Sequence, residues 1–406
     1  MLTIRDMSSV VGLPPTVPAT AAPSRRLRVL VVTESFLPQV NGVTNSVRRV
    51  LEHLRERGHE AELVAPTGPP TYAGFPVTRA RGASLPFYRD FRIGLETRRR
   101  LRAVMDRFRP DVVHLASPAT LGYQAIKVAT ERGIPTVAIY QTDLVGFAQR
   151  YAGPLGLFGG ATAMAALTRK IHCAADRTLA PSTASLAQLD GLSIPRTELW
   201  PRGVDLIGFH PSRIDHDLRA RLAPRGQLLV GYVGRLAAEK ELELLTHLAG
   251  DDRYALVLVG GGPEEQRLRS LLPGATFTGT LHGDELGAVY ASLDVFVHTG
   301  RHETFCQSAQ EAMASGVPVV APNSGGPVDL VSSGVTGYLY RPGDGDDLAA
   351  YLARLHADPV MRRRMGREGR VAVNARSWQA VNDRLIEHYT EVIEARLPRQ
   401  GFPRAA

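Results

Sequence analysis

Apolar positions in this chain of 406 residues alternate between two patterns. Short, nearly unbroken runs such as Leu27 to Thr33, Thr136 to Tyr140, Leu228 to Val233 and Ala255 to Val259 have the length and composition of strands buried on both faces. Between them, apolar residues recur every three or four positions, the period of a helix with one buried stripe. The first half reads as strand 27–33, a helix that Gly58 stops, strand 60–65, a basic helix within 89–109, strand 111–115, helix 119–131, strand 136–140, helix 158–173 and strand 177–180. Ser182 then N-caps a short helix ending near Gly191. The second half repeats the alternation, with strand 228–233, a helix around 239–248, strand 255–259, helix 264–271, a strand near Phe277, helix 284–291, a strand at 295–298, a helix beyond it and strand 317–320. Helices at 344–356, 359–375 and 377–396 close the chain. This order predicts an α/β protein with two doubly wound, Rossmann-like units.

The expected division is a disordered tail at 1–24, a first unit at 25–205, a second at 206–376 and a terminal helix at 377–396. Residues 206–226 have linker composition. The tail has no apolar core of secretory type, no run is long enough to span a bilayer, and the two cysteines, Cys173 and Cys306, stand far apart. The expected compartment is the cytoplasm, and no metal cluster is foreseen. The net charge of +8 lies in the first half, where residues 1–205 hold 26 Lys and Arg against 16 Asp and Glu. Within 89–109, Leu101, Val104, Met105 and Phe108 fall on one helical face and Arg98, Arg99, Arg102 and Arg109 on the other. Such a face could lie on anionic lipid as a peripheral membrane contact, or be solvated. With 6% aromatic residues and no aromatic platform among the basic ones, the chain does not read as a nucleic-acid binder.

The candidate chemistry centres on residues 295–320. An apolar strand ends at Thr299 and Gly300, a helix follows, and Gly316 closes it before the next strand. Glu303 falls in the mouth of this βαβ unit and Glu311 inside the helix, with the amides of Phe305, Cys306 and Gln307 expected in the first turn, where an anion is favoured. Taken alone, two Glu eight apart could also be a capping acid and a solvated face residue. The string from Arg301 to Val320, R-H-E-T-F-C-Q-S-A-Q-E-A-M-A-S-G-V-P-V-V, resembles the donor-site signature of retaining glycosyltransferases of family four, which have the GT-B arrangement of two facing Rossmann-like domains. The resemblance implies that Glu303 lies beside the donor sugar, that Glu311 binds the nucleotide ribose, and that Thr304 to Gln307 line the donor site.

Other strand-end loops extend the reading, since ligands of open α/β sheets bind beyond the carboxyl ends of the strands. Arg235 and Lys240 place two cations around a glycine turn, matching the family's pair that binds the donor diphosphate. Gly42 allows close approach of backbone to a phosphate, without the G-x-G-x-x-G of a nicotinamide enzyme. The resemblance places Gly261 and His282 near the nucleotide. Gln141 stands where many relatives have His, so it can hydrogen-bond but not shuttle a proton. Asp143 is a further active-site candidate whose alternative is a loop cap, and His114 reads as structural. Cys306 is expected to supply backbone only. The Y-Q-T-D and R-G-V-D strings resemble actinobacterial GDP-mannose-dependent α-mannosyltransferases acting on lipid acceptors. The implied activity is metal-independent transfer of mannose from GDP-mannose, as co-substrate, to a hydroxyl acceptor such as a glycolipid. The alternatives are a UDP-sugar transferase making a soluble glycoside, a nucleotide-sugar 2-epimerase, and a non-catalytic basic binding protein.

Overall fold

Strand β1 (Arg28–Thr33) explains why its sequence is apolar throughout and not alternating: it lies between β2 (Glu60–Ala65) and β7 (Val112–Ala116), parallel to both, with Val31 opposite Leu63 and His114. Val29 and Val31 face a core shared with α1 (Gly42–Glu56), while Leu30 and Val32 face α2 (Arg98–Phe108) and α3 (Thr120–Glu131). The computed structural model describes residues 25–39, 41–85, 88–143, 146 and 160–397. The predicted tail at 1–24 and the first two positions of the helix expected at 158–173 lie outside them; that helix is described over Gly160–Ala174.

The first sheet has eight strands. From β1 it runs on one side through β7, β8 (Thr136–Ile139), β9 (Arg177–Ala180) and β10 (Thr197–Leu199), and on the other through β2 and β4 (Phe75–Arg79) to β3 (Thr71–Tyr72). Among the described residues of this sheet, only the β3–β4 pairing is antiparallel. The second sheet is parallel throughout, in the order β13 (Thr276–Gly279), β12 (Tyr254–Val259), β11 (Leu228–Val233), β14 (Val295–Val297), β15 (Val319–Pro322) and β16 (Gly337–Tyr340). Two Rossmann-like layers are therefore present, each with helices on both faces.

Three local expectations are corrected. The basic helix expected at 95–109 starts at Arg98, as α2, N-capped by Thr97, and the hairpin of β5 (Gly82–Leu85) and β6 (Tyr88–Gly94) before it was not foreseen. The stretch 206–226 is not a bare linker, because Asp215 caps a helix at His216–Leu222 whose Leu218 and Leu222 pack on the second core. Residues 239–248 are two 3₁₀ segments, Ala238–Lys240 and Leu242–Leu248, broken at Glu241, where φ is 49°.

The last helix, Trp378–Arg396, returns to the first sheet. Val381, Leu385, Tyr389 and Val392 complete the core around Val29 and Val31, and the Trp200 indole donates to the Val381 carbonyl at 2.9 Å. The hydroxyl of Tyr389 pairs with Nδ1 of His114 at 2.7 Å, and burial pushes that imidazole down to about 3. His114 is a neutral structural residue.

Candidate functional site

The carboxyl ends of both sheets open on one cleft. Glu303 lies there, in the loop between β14 and the helix Gln307–Ala314, half-buried between two cationic side chains. The Lys240 ammonium forms an ion pair with Oε1 of Glu303, and Nε2 of His298, at the end of β14, approaches the same oxygen at 3.3 Å. Burial by itself would raise the Glu303 carboxyl, but Lys240 and His298 outweigh it and hold the group far below the carboxylate range. Burial likewise opposes charge on His298, yet Cys306 and Glu303 beside it push the imidazole up to about 10. His298 also stacks on Tyr232, with ring centroids 6.2 Å apart. It was not foreseen from the sequence; the available signal was a histidine directly after an apolar strand.

Glycines pack the neighbouring loops together. Arg235 pairs with Glu239 at 2.6 Å, and its carbonyl accepts from the Tyr232 hydroxyl at 3.0 Å. The Gly260–Gly262 turn lies against this loop, and a Cβ on Gly262 would enter the Leu236 carbonyl. Gly261 itself is in looser surroundings, with Thr280 Oγ1 at 3.7 Å from its Cβ position. A second turn, Gly325–Gly326, was missed in sequence. The Gly326 amide donates to the Glu303 carbonyl at 2.8 Å, and a Cβ there would strike the Phe305 backbone. This contact explains a further correction: Phe305 and Cys306 precede the helix and do not form its first turn. Phe305 is in the core and Cys306 is the N-cap, with φ 75°. The Gln307 amide group is bonded to the Gly203 carbonyl at 3.0 Å.

Glu311 lies one helical turn past Gln307 and accepts from the Tyr290 hydroxyl at 3.1 Å. Burial dominates its environment and pushes it up to about 7. His282 is exposed at the start of the helix Gly283–Ser292 and makes no capping bond there.

From the first sheet, Gln141 follows β8 and Gly42 opens α1. Both meet Arg202, a buried residue that sequence reading did not single out: its guanidinium donates to the Gly42 carbonyl at 2.6 Å and to Oε1 of Gln141 at 2.7 Å. Thr304 bridges the cleft, donating from Oγ1 to the Gln141 carbonyl at 3.2 Å. Asp143 instead accepts from the Gly146 amide at 2.8 Å, the cap arrangement, and no described contact joins it to Glu303. Glu303, Lys240, Thr304, Gln141 and Gly42 are thus linked around one mouth, with Arg235, Gly261 and Glu311 on the loops and helix of the second sheet. A mouth with fixed cations and an ionised carboxylate suits an anionic, hydroxyl-rich ligand.

Residues 40–207 match the family described as Glycosyltransferase Family 4, and residues 214–372 the family described as Glycosyl transferases group 1. A GDP-mannose-dependent α-mannosyltransferase of Mycolicibacterium smegmatis is 48% identical over 377 residues, 91% of this chain and 99% of that protein. The chain belongs to the family-four glycosyltransferases. This glycosyltransferase is also similar to a GDP-mannose-dependent α-(1-6)-phosphatidylinositol dimannoside mannosyltransferase of Mycobacterium tuberculosis, at 29% identity over 325 residues, 76% of this chain and 82% of that one. Among solved structures, the sucrose-phosphate synthase of Thermosynechococcus elongatus has a TM-score of 0.75 at 23% identity, covering 91% of this chain and 100% of that one, which shows the GT-B fold. The two matched segments of the glycosyltransferase meet at 207–214, just beyond the point where Gly203 packs on Trp378.

Proposed function

We propose that this glycosyltransferase moves mannose from GDP-mannose, with retention of configuration, to a hydroxyl of a lipid-linked sugar. The observation that carries the reading is the 48% identity, over nearly the whole chain, to an enzyme named for that donor. In this reading residues 25–205 form the acceptor side, 206–376 the donor side, and 377–396 the return helix. Lys240 and Arg235 neutralise the departing diphosphate, the work a divalent ion does elsewhere. Glu303 serves the reacting sugar, and Glu311 takes the ribose hydroxyls. Gly42, Gly261, His282 and the Thr304–Gln307 segment border the nucleotide, while Gln141 borders the sugar. Asp143 has a capping bond, so its role is to shape the loop. The bond from the anomeric carbon to the diphosphate oxygen breaks, the bond to the acceptor oxygen forms on the same face, and the acceptor proton passes to the departing phosphate.

Support for a lipid-linked acceptor comes from the similarity to the phosphatidylinositol dimannoside enzyme. No helix among the described residues is long and apolar enough to cross a membrane, so contact with lipid would be peripheral, at the cytoplasmic face. The test is turnover of GDP-mannose, UDP-glucose and UDP-galactose by the purified protein, with and without an extracted glycolipid fraction and with excess EDTA. Transfer of mannose to lipid, undiminished by EDTA, is expected. Preference for a UDP-sugar and a soluble acceptor would overturn the donor assignment, acceptor-independent turnover to an epimer would replace transfer, and a strict metal requirement would contradict the role of Lys240 and Arg235.

A further inference from the structure

We infer that Asp329 is a positioning residue for transfer: its carboxylate clasps the first domain across the cleft and sets that domain in register with the loop that carries Glu303. The inference rests on the donor-site reading above. The helix Thr183–Gly191 begins just past the carboxyl end of β9, the edge of the first sheet on which the cleft opens. Ser182 caps it by accepting from the Ser185 amide at 3.1 Å, and its first turn holds no acidic residue of its own. The amide of Thr183, the first helical residue, is taken instead by the second domain. It donates to Oδ2 of Asp329 at 2.6 Å, and the Thr183 hydroxyl donates to Oδ1 at 2.5 Å. A carboxylate suits that place, because unpaired amides and the positive end of the helix dipole meet there. Both oxygens are used, so the grip fixes an orientation as well as a charge.

Asp329 ends a 3₁₀ turn, Gly326–Asp329, that starts on the donor-site loop. At its start the Gly326 amide donates to the Glu303 carbonyl at 2.8 Å, and Gly326 packs on the Phe305 backbone. At its end Asp329 reaches Thr183, 146 positions away in sequence. Two further bonds close the joint. Ser185, 1% exposed, donates from its hydroxyl to the Thr304 carbonyl at 3.3 Å, and Thr304 in turn donates to the Gln141 carbonyl. Those bonds join neutral groups, and Asp329 supplies the charged member of the set. Glu303 and the diphosphate cations belong to the second domain, Gln141 and Gly42 to the first, so lining up acceptor with donor depends on how the two are registered. A purely structural role for Asp329 would run through Arg376, whose guanidinium burial lowers and Asp329 raises.

Mannose transfer to a glycolipid fraction, calorimetric GDP binding, melting temperature and amide exchange at Thr183 are measured for wild type, Asp329→Ala, Asp329→Asn, Thr183→Val and the Asp329→Ala, Thr183→Val double variant. Asp329→Ala is expected to lower kcat about tenfold, the worth of one charge-assisted hydrogen bond, with GDP affinity within about threefold and faster exchange at Thr183. Asp329→Asn keeps one acceptor for the Thr183 amide, and Thr183→Val removes only the hydroxyl bond, so both should fall between wild type and Asp329→Ala. The double variant should be no worse than Asp329→Ala alone, because the two residues share one contact. Wild-type kcat in Asp329→Ala overturns the positioning role, and with a lowered melting temperature it identifies a structural partner of Arg376. Additive losses in the double variant overturn the route through Thr183. GDP affinity lowered as much as kcat makes Asp329 part of nucleotide binding and overturns the inference. Unchanged exchange at Thr183 in Asp329→Ala overturns the clasp whatever the activity. A wild type inactive on every nucleotide sugar overturns the functional reading, and the positioning role with it.

Discussion

At the residue scale the site separates two carboxylates by environment. Glu303 is ionised between Lys240 and His298, whereas Glu311, half-buried against Tyr290 with no cation in bonding contact among the described residues, is pushed up to about 7 by loss of solvent. Replacing Glu303 with Gln should lower turnover by about 10² to 10³, the usual cost of removing one electrostatic partner of the reacting centre. GDP affinity should stay within about threefold, because the diphosphate cations remain. Wild-type turnover in this variant would remove Glu303 from the reaction. For Glu311 the sign follows from its raised pKa. The folded protein holds a proton there that the unfolded chain releases above the ordinary 4.5, so this contribution to stability is complete below 4.5 and lost as pH rises through about 7. Measured without ligand from pH 5 to 8, the melting temperature of wild type should therefore fall relative to that of Glu311→Gln. Parallel profiles would show that the carboxyl ionises normally.

The elements show how distant segments satisfy one another. Helix α3 has Ala119 at its N-cap position and so no side-chain cap of its own, and the carboxylate of Glu34, directly after β1, fills that role. It accepts from the amides of Ala119, Leu121 and Gly122 at 3.0, 2.7 and 3.2 Å and from Gly94 of the hairpin at 3.1 Å. Helix α2 directs much of its positive charge to partners on neighbouring elements. Arg98 bonds Gln124, Arg102 pairs with Glu131 at 2.8 Å, Arg100 pairs with Glu96 at 3.0 Å, and Arg107 pairs with Glu62. Arg99 and Arg109 are exposed and take no part in these pairs, so they are the first candidates for any lipid contact of this helix. If the membrane reading holds, Arg99→Glu with Arg109→Glu should weaken co-sedimentation with anionic vesicles, at about 1 kcal/mol per charge, and leave GDP binding intact. Equal sedimentation of variant and wild type would make α2 a solvated helix braced against α3.

The whole molecule depends on two chain crossings that lie side by side. The Val204 amide bonds the Arg376 carbonyl at 2.9 Å, and a Cβ on Gly203 would come within 2.5 Å of the Trp378 Cα. Glycine is required there because the obstacle is backbone, which cannot turn aside as a side chain can. Gly203→Ala should cost about 1 to 3 kcal/mol, the range for overpacking, and lower the melting temperature. An unchanged melting temperature would show that the crossing can shift. The same crossing delivers Trp378–Arg396 to the first sheet, so the core of the first unit is finished by the last helix of the chain.

Periodicity and punctuation determined the central strands and the helices between them, because strands buried on both faces need continuous apolar runs and helices end where Gly58 and Gly316 take positive φ, at 74° each; the short strands β3 to β6, β10 and β16 left no such signal. Glu303, Glu311, Arg235 and Lys240 stood out as candidates because the short strings that hold them resemble those of family-four glycosyltransferases. Only the tertiary structure decided the rest. The hairpin at 82–94 takes its place through Gly94 and Glu34, sixty residues apart. Phe305 stays outside the helix where the distant Gly325–Gly326 turn packs on its backbone. His298 and Arg202 acquire their roles from partners brought close by folding: Glu303 in one case, Gly42 and Gln141 in the other. A hydrogen bond depends on distance in space and not on spacing along the chain, so a residue whose partners are remote carries no local signal of what it holds.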